Sequence, residues 1–251
     1  MRNCIVPIIA LAVLSVGIAA TASSLFEPSN EYLRTTTSPP AIREMTVSLW
    51  FRVANTTARH TLLIIEQSGT NQRIVLYADG PDTNDLADRV WYLAQTSDGS
   101  IASTGYTTNS FQADTWHHLL FTAKDQYAYG AYDIKLDGGT STSPDGDDNP
   151  PEYTNYSVQI GGDNRQVTQI VGDYDYLPSP SGEIAEVGIW PAVLSAADMN
   201  ALTSRFSPVF VRLRALAFYA PLVRGLQELL NGCTLTAYNS PGTGEHPPIR
   251  R

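Results

Sequence analysis

The sequence predicts an all-β protein: an antiparallel two-sheet jelly-roll sandwich with one short helix and a C-terminal extension. Three observations predict it. The stretch Met45–Val53 puts an apolar residue at every second position, with Thr46, Ser48, Trp50 and Arg52 between them, as a strand with one buried face requires. Short apolar runs follow it, separated by turn clusters and without the helical patterns a parallel α/β sheet needs between its strands. In 251 residues there are 18 Gly, 16 Pro and 13 Tyr but only 16% charged residues, a balance suited to a turn-rich β protein.

The chain opens with Arg2 and an apolar run from Ile5 to Ala20, interrupted by Pro7, Ser15 and Gly17 and closed by Ala20-Thr21-Ala22. The run is short for a membrane span, which needs about 20 apolar residues. Residues 1–22 therefore read either as a cleaved signal peptide or as an uncleaved apolar arm that packs against protein. Cys4 precedes the run, where a lipidated cysteine would follow it. A Cys4–Cys233 bridge requires the arm to stay, and two distant thiols make no metal site.

Residues 23–206 read as the sandwich. In Met45–Val53 the residues Met45, Val47, Leu49, Phe51 and Val53 share one face, and Thr46, Ser48, Trp50 and Arg52 the other. Further strands are expected at Thr61–Gln67, Arg73–Ala78, Val90–Gln95, Trp116–Ala123, Tyr132–Leu136, Tyr156–Ile160 and Glu183–Trp190, with Gly-, Asp- and Pro-rich turns between them. A helix follows: Ser195 is its N-cap, Asp198 completes a variant capping box, and Leu194 and Met199 occupy the two positions of a hydrophobic staple.

Residues 207–251 form the extension. Leu216–Leu222 reads as a returning strand, Leu226–Leu230 as a helical turn, and Ser240–Arg251 as an extended or mobile tail. With 16 basic against 25 acidic residues the net charge is −9, which disfavours nucleic acid and anionic membrane surfaces as generic partners.

Catalytic patterns are weak. Glu183 and Glu186 lie three apart, which a regular strand sends to opposite faces, so they read as turn and edge residues rather than a glycosidase pair. His117 and His118 are adjacent in a strand and point oppositely, so they cannot share a metal or act on one proton. His60 and His246 have no ligand-spaced partners, and neither a nucleophile elbow nor a phosphate loop occurs.

Several stretches then align in order: Met45-Thr-Val-Ser-Leu-Trp-Phe51, Asp114-Thr-Trp-His-His-Leu-Leu-Phe-Thr122, Ile134-Lys-Leu-Asp-Gly138, Ile160-Gly-Gly162, Gly182-Glu-Ile-Ala-Glu-Val-Gly-Ile-Trp190 and Leu194-Ser-Ala-Ala-Asp198. Together they resemble the laminin G-like, pentraxin-like branch of the concanavalin A-like lectin/glucanase superfamily. Trp50, Trp116 and Trp190 supply large apolar anchors for such a sandwich. The resemblance implies rim loops that in some members bind calcium or glycans. Ala215–Val223 with His246-Pro-Pro-Ile249 resembles extensions on bacteriophage-borne copies of the domain, which implies a place on a particle surface.

No cofactor is implied beyond calcium. For that ion the candidate ligands are Asp145, Asp147 and Asp148 in one loop and Asp173 and Asp175 in another, although neither stretch fits an EF-hand and acidic loops are commonly just solvated. Tyr153, Tyr156, Tyr174 and Tyr176 cluster around those loops and are the candidate exposed aromatic surface for a glycan or a protein. The expected function is a non-catalytic, surface-displayed structural or recognition module, a virion (phage) decoration or structural protein. The alternative is a secreted, lectin-like carbohydrate-binding protein, and a glycoside hydrolase or lyase is the remote third reading. The expected partners are protein subunits of a particle or surface glycans, not nucleic acid, with a homo-oligomer open. The expected location is the virion surface or the extracellular space.

Overall fold

The computed structural model describes residues 23–26, 31–80, 88–124, 131–142, 152–162, 180–222, 230 and 232–250, and the backbone of 166–170 and 173–176. The N-terminal apolar segment with Cys4, and most of the expected turn at Leu226–Leu230, lie outside the described residues.

The strands are β1 (Ser23–Phe26), β2 (Tyr32–Thr35), β3 (Met45–Val53), β4 (His60–Gln67), β5 (Arg73–Asp79), β6 (Arg89–Gln95), β7 (Ile101–Tyr106), β8 (His117–Ala123), β9 (Tyr132–Leu136), β10 (Tyr156–Gly161), β11 (Gln166–Ile170), β12 (Asp173–Tyr176), β13 (Gly182–Trp190), β14 (Phe218–Ala220), β15 (Leu235–Tyr238) and β16 (Gly242–Gly244). Sheet I runs β16-β1-β13-β3-β8-β9, with β14 also paired to β13, and sheet II runs β15-β2-β10-β4-β5-β6-β7. Strands β11 and β12 form a separate hairpin. Neighbours within each sheet are antiparallel. The eight sandwich strands expected from the sequence all form, within a residue of their expected ends.

The core is the space between the sheets. Met45, Val47, Leu49, Phe51 and Val53 of β3 face Ile74, Leu76, Val90, Tyr92, Val158 and Ile160 of sheet II, all at or near zero exposure. Each such side chain contributes roughly 1.5–3 kcal/mol on leaving water. Contrary to a one-sided sheet, the opposite face of β3 is also covered: Thr46, Ser48 and Trp50 are buried. The cover is a layer built from α1 (Ala196–Thr203) and two short 3₁₀ turns at Pro208–Phe210 and Leu213–Ala215, packed with Trp190, Leu194, Leu202, Val211, Leu216 and the outward Tyr219 of β14. The Trp190 indole N–H donates to the Val211 carbonyl at 3.0 Å, which pins this layer to sheet I.

Helix α1 starts as its sequence dictates. The Ser195 hydroxyl accepts from the Asp198 N–H at 3.2 Å and donates to its carboxylate at 2.6 Å, while Leu194 and Met199 join the layer beneath. The returning strand appears as β14, shorter than expected. The tail takes the extended form of the two expected, and it is tied to the sandwich. Strand β16 adds to the edge of β1, and Arg250 donates its N–H to the Arg205 carbonyl at 2.7 Å. The edge of β1 offers unpaired backbone groups, and a Gly-rich segment can approach them closely.

Candidate functional site

The outward face of sheet II carries the best-formed constellation. Strand alternation sends Ile74, Leu76 and Ala78 into the core and leaves Arg73, Val75, Tyr77 and Asp79 on the other side. A bulge after Thr61 sets the phase of β4, so that Thr61, Tyr77, Trp91 and Tyr106 stand directly opposite one another across β4, β5, β6 and β7. The Tyr77 and Trp91 rings lie 6.5 Å apart and 9° from parallel, and Trp91 and Tyr106 lie 4.6 Å apart at 41°. Ile64, Val75 and Leu93 form the next row.

Planar polar groups flank this ladder. Arg59 grips Asp79 through two hydrogen bonds, at 2.7 and 3.2 Å, and its guanidinium sits 4.9 Å from the centre of the Tyr77 ring. On the far side Arg73 donates to Gln95, and Arg34 bridges Glu66 at 3.2 Å and Ser157 at 3.1 Å. Tyr77 is 1% exposed and Trp91 9%, whereas Tyr106, on the edge strand, is half-buried, so the ladder opens toward β7. Among the described residues, the buried Trp91 indole N–H and Thr61 hydroxyl have no hydrogen-bond partner. Such a group costs about 1–3 kcal/mol and gains from any acceptor that reaches it.

A depression of about 180 Å³ lies at the end of sheet I, lined by Leu25, Arg52, Val53, Ala54, Asp114, Ser181, Gly182 and Glu183. Ligand pockets commonly exceed about 300 Å³, and here Arg52 is already engaged by Glu183 and by Glu245 at 3.0 Å.

The carboxylates of β13 depart from the sequence reading. Glu186 has φ 53° and sits in a bulge between Ala185 and Gly188. Ile184, Val187 and Ile189 consequently face the core, and Glu183 and Glu186 both emerge on the outer side. Neither is a turn or edge residue. Glu186 is fully buried, accepting from Ser207 at 2.6 Å and Tyr219 at 2.8 Å, and Glu183 accepts from Arg52 and from the Glu245 N–H at 2.8 Å. Both carboxylates are occupied in holding the C-terminal layer.

The histidines are structural in the same sense. His117 bonds Asp137 at 2.7 Å, and His118 meets Ser48 at 2.9 Å on the opposite face. Burial pushes the His118 imidazole down to about 4, so it is neutral at pH 7. Asp137 is raised by its own burial, but hydrogen bonds from His117 and from the His118 N–H outweigh that and hold it below the usual carboxylate range.

The expected tyrosine surface is corrected in part. Tyr153 and Tyr156 are 0% and 1% exposed. Tyr156 shares the inward phase of Val158 and Ile160, and its hydroxyl donates to the Pro40 carbonyl at 2.9 Å. Tyr153 pairs its backbone with Ile42 and packs edge-on against Tyr156 at 6.1 Å. Burial raises both phenols. Neither belongs to an exposed aromatic surface. Asp173, Tyr174, Asp175 and Tyr176 make up β12 of the separate hairpin, and Asp145, Asp147 and Asp148 lie outside the described residues. Among the described residues no three His, Cys, Asp or Glu side chains converge as a metal site. Sequence reasoning missed the Tyr77–Trp91–Tyr106 ladder. Its one local signal is that Tyr77 and Trp91 occupy outward positions of their strands.

Known structures share this architecture. A heptameric pentraxin from Limulus polyphemus superposes with a TM-score of 0.59 at 13% identity, over 90% of this chain and 94% of its own. A Bacteroides ovatus protein assigned to carbohydrate binding by inference gives 0.60 at 15% identity, over 92% of this chain and 61% of its own. No curated protein sequence matches the chain. A laminin G-type family model, described as concanavalin A-like lectin/glucanases, matches residues 28–200. Sandwich, strand order and family match agree, and the chain belongs to the concanavalin A-like lectin/glucanase superfamily.

Proposed function

We propose that the protein is a non-catalytic, lectin-like carbohydrate-recognition module that works outside the cell, with its sugar site at the β7 edge of the outward face of sheet II, where Tyr106 is half-buried. The observation that carries this reading is the aromatic ladder with an unsatisfied donor at its centre. A pyranose ring presents flat C–H faces and a rim of hydroxyls. The former stack on aromatic rings, and the latter exchange hydrogen bonds with planar polar groups. Tyr106 and Trp91 supply the rings, the Trp91 N–H a free donor, and Arg59–Asp79 a flanking polar pair. The sugar enters from the β7 edge, where Tyr106 is accessible. The carbohydrate-binding assignment of the Bacteroides ovatus neighbour supports the same class.

The alternative of a virion component rests on the resemblance of Ala215–Val223 and His246-Pro-Pro-Ile249 to bacteriophage-borne extensions, which neither the family match nor the structural neighbours support. The stretch after residue 207 supplies β14, β15 and β16 to the two sheets, which leaves less of it to bind a particle. Screening the purified chain on a glycan array, with and without calcium, tests the proposal. Binding that drops at least tenfold in Tyr106→Ala supports it, whereas a blank array from folded protein in both conditions rejects it.

A further inference from the structure

Of the five exposed large apolar side chains among the described residues, three fall between residues 206 and 213: Phe206 at 39%, Phe210 at 59% and Leu213 at 48%. They stand out because the two 3₁₀ turns commit Pro208, Val211 and Leu216 to the layer over sheet I and turn their neighbours outward. Arg205, Arg212, Arg214 and Arg250 are exposed around them, and the Arg250 guanidinium lies 5.9 Å from the Phe206 ring. Arg205 (φ 72°) closes α1, with its N–H donating to the Leu202 carbonyl and the Phe206 N–H to the Ala201 carbonyl, and Arg212 (φ 46°) opens the second 3₁₀ turn, so both backbones are set by the turns that project the patch.

The charge pattern is the reverse of the rest of the chain. No Asp or Glu occurs from 199 to 222, although the whole protein carries −9. Arg212 is paired with Asp198 at 2.6 Å, while Arg205, Arg214 and Arg250 have no ion pair among the described residues. Screening in physiological salt acts over about 8 Å, so a contacting surface feels this local cluster rather than the distant acids.

We infer that this patch docks on an anionic phospholipid bilayer. Arginines around the tip pair with headgroup phosphates, and Phe210 and Leu213 enter the boundary between headgroups and acyl chains. The occupant is argued from charge complementarity and from the tip's shape in exposure. Apolar side chains standing out on tight turns suit a yielding medium, whereas a protein partner would need a matching concave pocket. The patch belongs to the layer outside sheet I and the aromatic ladder to the outward face of sheet II. A membrane-docked molecule therefore presents its proposed sugar face away from the bilayer. The inference stands independently of that sugar reading.

The experiment is sedimentation of the full chain with vesicles of phosphatidylcholine alone and of phosphatidylcholine with one part in five phosphatidylserine. Circular dichroism and thermal midpoints confirm that each variant is folded. Wild type and variants share the N-terminal apolar segment, so their difference reports the patch. Binding is expected to the phosphatidylserine vesicles and to fall steeply in 0.5 M salt. Arg214→Glu is expected to lower it at least fivefold, and Phe210→Ser/Leu213→Ser at least tenfold. Equal binding to both vesicle types, absence of binding, or folded variants that bind like wild type would each overturn the inference. So would concentration-dependent dimerisation that the double variant abolishes, since the patch would then seat a second copy.

Discussion

His246 Nε2 lies 3.2 Å from Glu186 Oε1, with both side chains buried, and this contact ties the last residues of the chain to the bulge in the middle of β13. The approach is out of line for a hydrogen bond, so the pair is held by proximity and by what surrounds it. Ser207 and Tyr219 occupy the other oxygen of the same carboxylate. Removing the imidazole leaves a hole beside the buried Glu186 carboxylate. His246→Ala is expected to lower unfolding stability by about 0.5–3 kcal/mol, read as the urea midpoint. An unchanged midpoint would show that the tail is not fastened there.

Gly244 stands one step before the Glu245 N–H that Glu183 accepts, and a Cβ at this position would run into the Glu183 carboxylate. Glu183 cannot swing aside cheaply because Arg52 holds its other oxygen. Gly244→Ala should therefore cost about 1–3 kcal/mol through overpacking. The Glu183→Ala background should remove most of that cost. A double-mutant cycle measures the coupling, and strict additivity would refute the clash.

His118 makes stability depend on pH in a defined window. Its folded value of about 4 lies below its ordinary 6.5, so the unfolded chain takes the proton first. Stability is therefore full above pH 6.5 and falls as pH drops from 6.5 toward 4, by about 3 kcal/mol at roughly 1.4 kcal/mol per pH unit. His60, lowered by burial against the opposing pull of its bond to the Asn55 carbonyl, acts in the same direction. Following the His118 ring by NMR checks this directly. Titration near 6.5 in the folded protein would refute it.

The helix cap offers a smaller, cleaner test. Ser195 caps α1 through Asp198, whose carboxylate also pairs with Arg212 at 2.6 Å. Ser195→Ala should lose about 1 kcal/mol, with Ser195→Asn retaining most of the stability. Equal thermal midpoints for Ala and wild type would argue that the C-terminal layer, not the cap, holds this helix.

What the sequence determined by itself is whatever is written in neighbouring residues. The alternation in Met45–Val53 and the Leu194–Met199 start signal are local rules of side-chain direction and backbone capping, and both appear as read. Strand β7, Ile-Ala-Ser-Thr-Gly-Tyr, carries no such alternation and exists because β6 offers its edge. The placement of Glu183 and Glu186 on one face required a bulge that shifts the phase of β13 by a residue, and no local pattern marks that bulge. The Tyr77–Trp91–Tyr106 ladder needs three strands brought into register, and the burial of Tyr153 and Tyr156 needs the second sheet above them. Periodicity decides which way a side chain points relative to its own backbone. Only pairing between distant segments decides what it meets there, and that is where the candidate site was made.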